Sequence, residues 1–249
     1  MRPYQIYLVK EMPTLTVGQE LSSKVQLTFS GENEDVRTSI KLENDNFDSG
    51  MSMLHVESEI KHRTFGFIRK MIHSERQKIE FFEYLEPVKF PAYLDHDRKI
   101  ILFNAPKKAC RGVLSYLRDK PCGLELVEME VDFVKLMERT SEYLGAWFRG
   151  VSSRVQAAGL SGNQIQDDKL FQSLKKAAQM SNVTIPWNYG DFEHSIMVTS
   201  GGAVVLVQNY AGNVALELRI VADVYDRLLR HVWQERKCGG KTDDSPGEP

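Results

Sequence analysis

Seven basic side chains gather between positions 98 and 120 of the chain, with only one acidic residue, Asp119, among them. The seven are Arg98, Lys99, Lys107, Lys108, Arg111, Arg118 and Lys120. A cluster of cations on one helix or face is the electrostatic footprint of a protein that binds a polyanion such as nucleic acid. The whole chain carries 32 basic and 34 acidic side chains and a formal net charge of -2, so its basic character is local.

The helix predicted to open at Pro106 carries three of these cations in its first two turns. The positive end of a helix dipole disfavours cations there unless an anion lies between them and the exposed amide groups. The other cations lie on the strand before this helix or near its end. We therefore predict a nucleic-acid-binding surface made of Arg98, Lys99, Lys107, Lys108, Arg111 and Arg118.

A second basic stretch could extend this surface. It places cations close to Phe65 and Phe67, and a surface that combines cations with aromatic rings can follow a phosphate backbone while bases stack on the rings. Its cations are Lys61, Arg63, Arg69, Lys70, Arg76 and Lys78.

An ordinary solvated surface is the alternative interpretation of both stretches. Acidic side chains on neighbouring strands could neutralise the cations, namely Glu80, Glu83, Glu86, Glu125, Glu128 and Glu130. The same patch would also suit an acidic protein. A protein-interaction subunit of a larger complex, docking through this patch or through a strand edge, therefore stays open beside nucleic-acid binding.

Catalytic motifs are sparse. Asp48 followed by Glu59-Ile60-Lys61 loosely resembles the spacing of a metal-dependent nuclease, which is a third alternative. Asp95-His96-Asp97 could contribute metal ligands, but we favour a turn between two strands as its explanation. Phosphate-binding loops and nucleophile elbows are absent from the sequence. We predict a non-enzymatic binding protein with no metal and no cofactor.

The composition predicts a soluble cytoplasmic protein without disulfides. Hydrophobic residues are 42% and charged residues 27% of the 249 positions, with no apolar run long enough for a signal peptide or a membrane span. The three cysteines match no zinc or redox spacing, and we expect Cys110 and Cys122 to be small buried thiols.

Hydrophobic periodicity predicts the elements that position these residues. Strands are expected at 5–10, 24–29, 36–42, 52–60, 78–85, 93–103, 124–131, 146–158, 183–188, 193–199 and 203–208. Helices are expected from 106 to about 120, at 133–144 after the cap Asp132, from 167 to 180, and from 213 to about 236.

These elements predict an α+β fold. An antiparallel β-rich lobe (1–123) that ends in the basic helix would precede a helix-covered antiparallel sheet (124–236) and a disordered tail (237–249). The hairpin-plus-helix units at 90–119 and 192–231 resemble each other in pattern. Two related sheet-plus-helix lobes are therefore an open alternative.

Overall fold

The structure, a computed structural model, describes residues 2–29, 32–72, 75–117 and 123–235. The described strands are β1 (Arg2–Glu11), β2 (Glu20–Phe29), β3 (Glu32–Asp48), β4 (Met51–Ile72), β5 (Glu75–Asp95), β6 (Ile100–Phe103), β7 (Glu125–Val131), β8 (Gly145–Arg149), β9 (Ala157–Ser161), β10 (Gln179–Tyr189), β11 (Phe192–Thr199), β12 (Ala203–Leu206) and β13 (Trp233–Glu235). The helices are α1 (Lys107–Leu117), α2 (Phe133–Arg139), α3 (Lys169–Ala177) and α4 (Val214–Val224), which continues through a π-helical turn (Tyr225–Leu229) into α5 (Arg230–Val232). A 3₁₀ turn (Ile165–Asp167) precedes α3.

The predicted α+β fold class is wrong. Strands make up 55% of the structure and helices only 22%, and all thirteen strands belong to one large antiparallel sheet. The error arose because periodicity shows which residues form strands but not which strands pair. β1 pairs with β6, β7 and β12, so one sheet crosses the boundary predicted at residue 123. The domain division stays a prediction, and the predicted tail at 237–249 lies outside the described residues.

β1 lies at the centre of this sheet, whose main order is β2-β3-β4-β5-β6-β1-β12-β11-β10-β8-β9. The hairpins β5–β6 and β11–β12 flank β1 on its two sides. Tyr7 of β1 belongs to the hydrophobic core that α1 covers, whereas the neighbouring Ile6 belongs to the core that α4 covers. Successive side chains of a strand point to opposite faces, so the two helices cover opposite faces of the sheet.

Local signals explain most helix ends. Asp132 caps α2 as predicted, accepting hydrogen bonds from the backbone N–H groups of Val134 and Lys135 at 3.0 and 3.3 Å. The helix nevertheless ends at Arg139, five residues before the predicted end, and Gly145 begins β8. The strand predicted at 146–158 is divided between β8 and β9, whose short hairpin pairs residues 145–149 with 157–161.

In the described part of the chain, no helix is long and apolar enough to cross a membrane.

Candidate interaction site

Arg98 is half-buried and lies between two carboxylates. Its Nη1 lies 2.7 Å from Asp95 Oδ2, and its Nε lies 2.9 Å from Asp226 Oδ2 in the π-helical turn after α4. Burial by itself lowers the pKa of Arg98, but hydrogen bonds to Asp226 and Asp95 outweigh it and raise the pKa above its ordinary value. Arg98 therefore ties the β5–β6 turn to the C-terminal helix.

The three cations of α1 contact three different strands or turns. Arg111 Nη2 lies 3.1 Å from Glu128 Oε2 on β7, and Lys108 Nζ lies 3.0 Å from His62 Nδ1 on β4. Lys107 extends to the β11–β12 turn, where a Cβ added to Gly201 would lie only 2.0 Å from the lysine Nζ. The three cations at the start of α1 therefore point toward different parts of the sheet and do not share one surface.

Lys99 and Lys108 are the two predicted binding residues that are exposed among those the structure describes. Lys99 adopts a left-handed backbone conformation (φ 52°) at the end of the β5–β6 turn. Arg118 lies outside the described residues. In the part of the chain that the structure describes, the predicted cations therefore do not form one solvent-facing cluster. Nucleic-acid binding by these six residues stays a prediction.

The nuclease motif is spread along a strand. Asp48 pairs across the sheet with Met51, and Glu59 lies eight residues further along β4, about 26 Å away. Both oxygens of Asp48 accept hydrogen bonds from Arg219, at 2.5 and 2.9 Å, and these bonds lower the pKa of Asp48. Asp48 and Glu59 therefore cannot share a metal ion.

The segment Asp95-His96-Asp97 forms part of the turn between β5 and β6, where His96 Nε2 lies 2.8 Å from Ser52 Oγ. No group of three or more His, Cys, Asp or Glu side chains that could hold a metal ion occurs among the residues with described positions.

The outer part of β4 and β5 forms a two-stranded arm, which we define as residues 63–72 and 75–83. Beyond Glu57, β4 has no pairing with β3, and β5 pairs with β6 only from Ala92 to Asp95. Within the arm the two strands pair only with each other, from Arg63 opposite Glu83 to the described end of the hairpin. Ten residues of β4 extend the arm over about 33 Å.

Exposed hydrophobic side chains concentrate on this arm. It holds six of the fourteen large exposed hydrophobic residues in the described chain: Phe65, Phe67, Ile68, Met71, Ile79 and Phe82. Ile68 pairs with Ile79 on one face. Alternation along the strands places the three phenylalanines and Met71 on the other face, where the rings of Phe65 and Phe82 lie 5.4 Å apart. The arm is therefore apolar on both faces.

Cations accompany the aromatic face of the arm. Lys78 Nζ lies 4.8 Å from the centroid of the Phe67 ring, and Arg69 lies 5.8 Å from it. Arg63 bonds to Glu83, so part of the predicted neutralisation by acids does occur at the base of the arm. With five basic and three acidic residues, the arm carries a formal charge of about +2.

No protein-family model matches this sequence, and no curated protein matches it significantly. The site therefore has to be interpreted from its own chemistry.

Sequence reasoning noted Phe65 and Phe67 but missed the rest of the apolar arm. A strand with one buried face alternates between apolar and polar residues. Residues 63–72 do not alternate in this way, because the apolar residues Phe67 and Ile68 are adjacent, and both are exposed. Adjacent exposed apolar residues beside cations were the available signal. In this region, hydrophobic periodicity predicts strands only at 52–60 and 78–85, so it assigns no element to residues 63–72, which lie in β4.

Proposed function

We propose that this protein is a non-enzymatic interaction subunit that assembles with a second copy of itself through the β4–β5 arm. The observation that carries the proposal is the presence of exposed apolar side chains on both faces of the arm. A two-stranded ribbon alone is at best marginally stable in water, and contiguous exposed apolar surface marks interaction sites. A protein groove can cover both faces, whereas a nucleic-acid strand stacks against one.

Charge complementarity supports a second copy as the partner. The β2–β3 hairpin, residues 20–48, carries seven acidic and three basic side chains, a formal charge of about -4 against about +2 on the arm. Glu34, Asp35 and Glu43 of this hairpin are exposed. Among the described strands, β2 pairs only with β3, so it also leaves an open sheet edge. Two copies that exchange arms reciprocally would form a closed twofold dimer.

The apolar part of the proposal is tested by sedimentation equilibrium of the full chain. We expect Phe65→Ser combined with Phe82→Ser to weaken self-association by at least about 100-fold, because each phenylalanine buries about 1.5–3 kcal/mol of transfer free energy. Phe192→Ser is the matched control, since this ring is 73% exposed but lies outside the arm. Thermal unfolding of each variant verifies that it remains folded.

A wild-type chain that stays monomeric up to about 100 µM would refute self-assembly. So would an equal loss of association in the Phe192→Ser control.

The electrostatic part is tested by charge exchange. Arg69→Glu with Lys70→Glu, or Glu34→Lys with Asp35→Lys, should each weaken the homodimer. Mixing the two charge-reversed proteins should restore a heterodimer, because each then presents the complement of the other. Absence of restoration would remove the β2–β3 hairpin as the docking surface.

Nucleic-acid binding is the second candidate, favoured by one observation on the arm. Arg69 and Arg76 are exposed on the aromatic face and Lys70 on the opposite face, and none of the three forms an ion pair with another described residue. Binding to a labelled single-stranded oligonucleotide should then weaken steeply as salt rises and be lost in Arg69→Ala with Lys70→Ala. If nucleic acid instead binds at the start of α1, as predicted from the sequence, oligonucleotide binding should be lost in the double variant Lys107→Ala with Lys108→Ala.

A further inference from the structure

β9 forms one end of the sheet and has a neighbour on one side only. Among the described strands it pairs with β8 alone, at the opposite end of the sheet from β2. Two hydrogen bonds frame the β8–β9 hairpin. The backbone N–H of Gly150 donates to the Gln156 carbonyl at 2.7 Å, and that of Gly162 donates to the Leu144 carbonyl at 3.1 Å.

These two bonds determine which backbone groups of β9 face outward. Residues of an antiparallel strand bond alternately to one side and the other, so Ala158 and Leu160 bond to β8. The N–H and C=O groups of Ala157, Gly159 and Ser161 therefore point away from the sheet, and all three residues are exposed. β9 also has no charged residue and no proline, which are the usual devices that keep an edge strand from pairing.

An exposed tryptophan extends across β9 toward this edge. Trp147 of β8 lies opposite Gly159, and a Cβ added to the glycine would lie 2.2 Å from the indole carbon Cζ3. The ring therefore covers the glycine, and 48% of the side chain is exposed. The other residues on this face of β9, Ala157 and Ser161, have small side chains. A side chain of an added strand thus has room to pack against the indole.

Unpaired cations lie at the start of β9. Arg149 lies opposite Ala157 on the same face as Trp147, and Arg154 belongs to the loop that joins β8 to β9. Both arginines are exposed, and neither forms an ion pair with another described residue. An acidic side chain on an added strand would therefore meet a free positive charge at this end of β9.

We propose that the β9 edge accepts an extended segment of another protein as an additional antiparallel strand, with an aromatic residue on Trp147 and an acidic residue two positions later beside Arg149. In this mode of recognition main-chain hydrogen bonds supply affinity, and alternate side chains supply specificity. Two positions forward on an antiparallel partner correspond to the step from Gly159 back to Ala157. The edge is separate from the arm and from the β2–β3 hairpin, so the proposal does not rest on the proposed assembly.

Fluorescence anisotropy of a labelled heptapeptide, Thr-Val-Thr-Phe-Thr-Glu-Thr, titrated with the full chain tests the proposal. We expect saturable binding below about 1 mM. Methylation of the phenylalanine backbone nitrogen should abolish binding, because this N–H would donate to the Gly159 carbonyl. Methylation of the preceding threonine nitrogen should be tolerated, because that N–H would point away from β9. Replacing the glutamate of the peptide by lysine should weaken binding about tenfold.

Side-chain variants locate the site. Trp147→Ser should weaken peptide binding by at least about tenfold. Phe192→Ser is the matched control, because this ring is 73% exposed on β11. Arg149→Glu should weaken binding of the glutamate peptide about tenfold and strengthen binding of the lysine peptide. Lys41→Glu, an exposed position of β3 near the other end of the sheet, should change neither.

A backbone variant isolates the pairing itself. Proline is tolerated on edge strands where its missing N–H faces outward, so Ala157→Pro should leave the melting temperature nearly unchanged. It should weaken peptide binding about fivefold, because one hydrogen bond to the peptide is lost. Amide hydrogen exchange of the wild-type chain gives a second measurement if this variant does not fold. The N–H groups of Ala157, Gly159 and Ser161 should become protected only when the peptide binds.

Four results would overturn the proposal. The first three are no peptide binding at about 1 mM, equal effects of the two backbone methylations, and equal losses in Trp147→Ser and Phe192→Ser. The fourth is a loss of self-association in Ala157→Pro, which would show that a second copy of this chain occupies the edge. The Phe65→Ser and Phe82→Ser variant should bind the peptide as the wild type does, whatever the outcome for the proposed assembly.

Discussion

Replacing Arg98 by alanine should destabilise the fold, because it leaves a buried carboxylate without its cation. Asp95 is only 1% exposed, and its two oxygens accept hydrogen bonds from the Arg98 backbone N–H at 3.0 Å and from Nη1 at 2.7 Å. Asp226 would keep Arg230, 3.6 Å away, as a partner. The cost therefore concentrates on Asp95.

The expected magnitude follows from this geometry. Removing one member of a buried ion pair costs about 3–5 kcal/mol, and the partial exposure of Arg98 places the expected loss near the lower value, about 3 kcal/mol. For a chain of this size that loss lowers the melting temperature by about 6–12 °C. Urea unfolding followed by circular dichroism measures the free energy of unfolding directly.

Two further variants separate the buried pair from other causes. Lys99→Ala, one position away and exposed, should change the free energy of unfolding by no more than about 0.5 kcal/mol. Asp95→Asn in the Arg98→Ala background should recover part of the loss, because it removes the uncompensated charge. An Arg98→Ala variant as stable as the Lys99→Ala control would refute the reasoning.

Two other predictions concern titratable groups. Hydrogen bonds from Arg219 lower the pKa of Asp48 in the folded state. The ionised Asp48 therefore contributes fully to stability above the ordinary aspartate pKa of about 3.9. This contribution is lost as the pH falls through the lower pKa that Asp48 has in the folded protein. Asp48→Asn should therefore cost more stability at neutral pH than at about pH 3 in urea unfolding, and an equal cost at both would contradict the assignment. Burial raises the pKa of Cys110 to about 12, so in a chain with Cys122→Ser and Cys238→Ser a thiol reagent at mildly alkaline pH should modify Cys110 only as the protein unfolds. Rapid modification of the folded chain would show that the thiol is accessible.

Local patterns predicted several parts of this protein correctly. The cap at Asp132, the hairpin formed by the strands predicted at 193–199 and 203–208, and the buried thiol of Cys110 are all confirmed. Each depends on a residue's own backbone preference or on a short apolar repeat, which the neighbouring positions reveal. Trp147 shows the limit of such reasoning, because we would assign a tryptophan at a strand start to the core. Its side chain is 48% exposed and lies over the backbone of Gly159.

The sequence by itself determined the position of many strands, though not of the arm segment 63–72, and where most helices begin, since hydrophobic periodicity and capping residues act over a few positions. It also determined the local excess of cations. Only the tertiary structure decided that all strands join one sheet through β1, that the arm has no buried face, and that Arg98 meets Asp226, 128 positions away. Pairing between distant strands and ion pairs across the fold depend on long-range packing, which leaves no periodic trace in the chain.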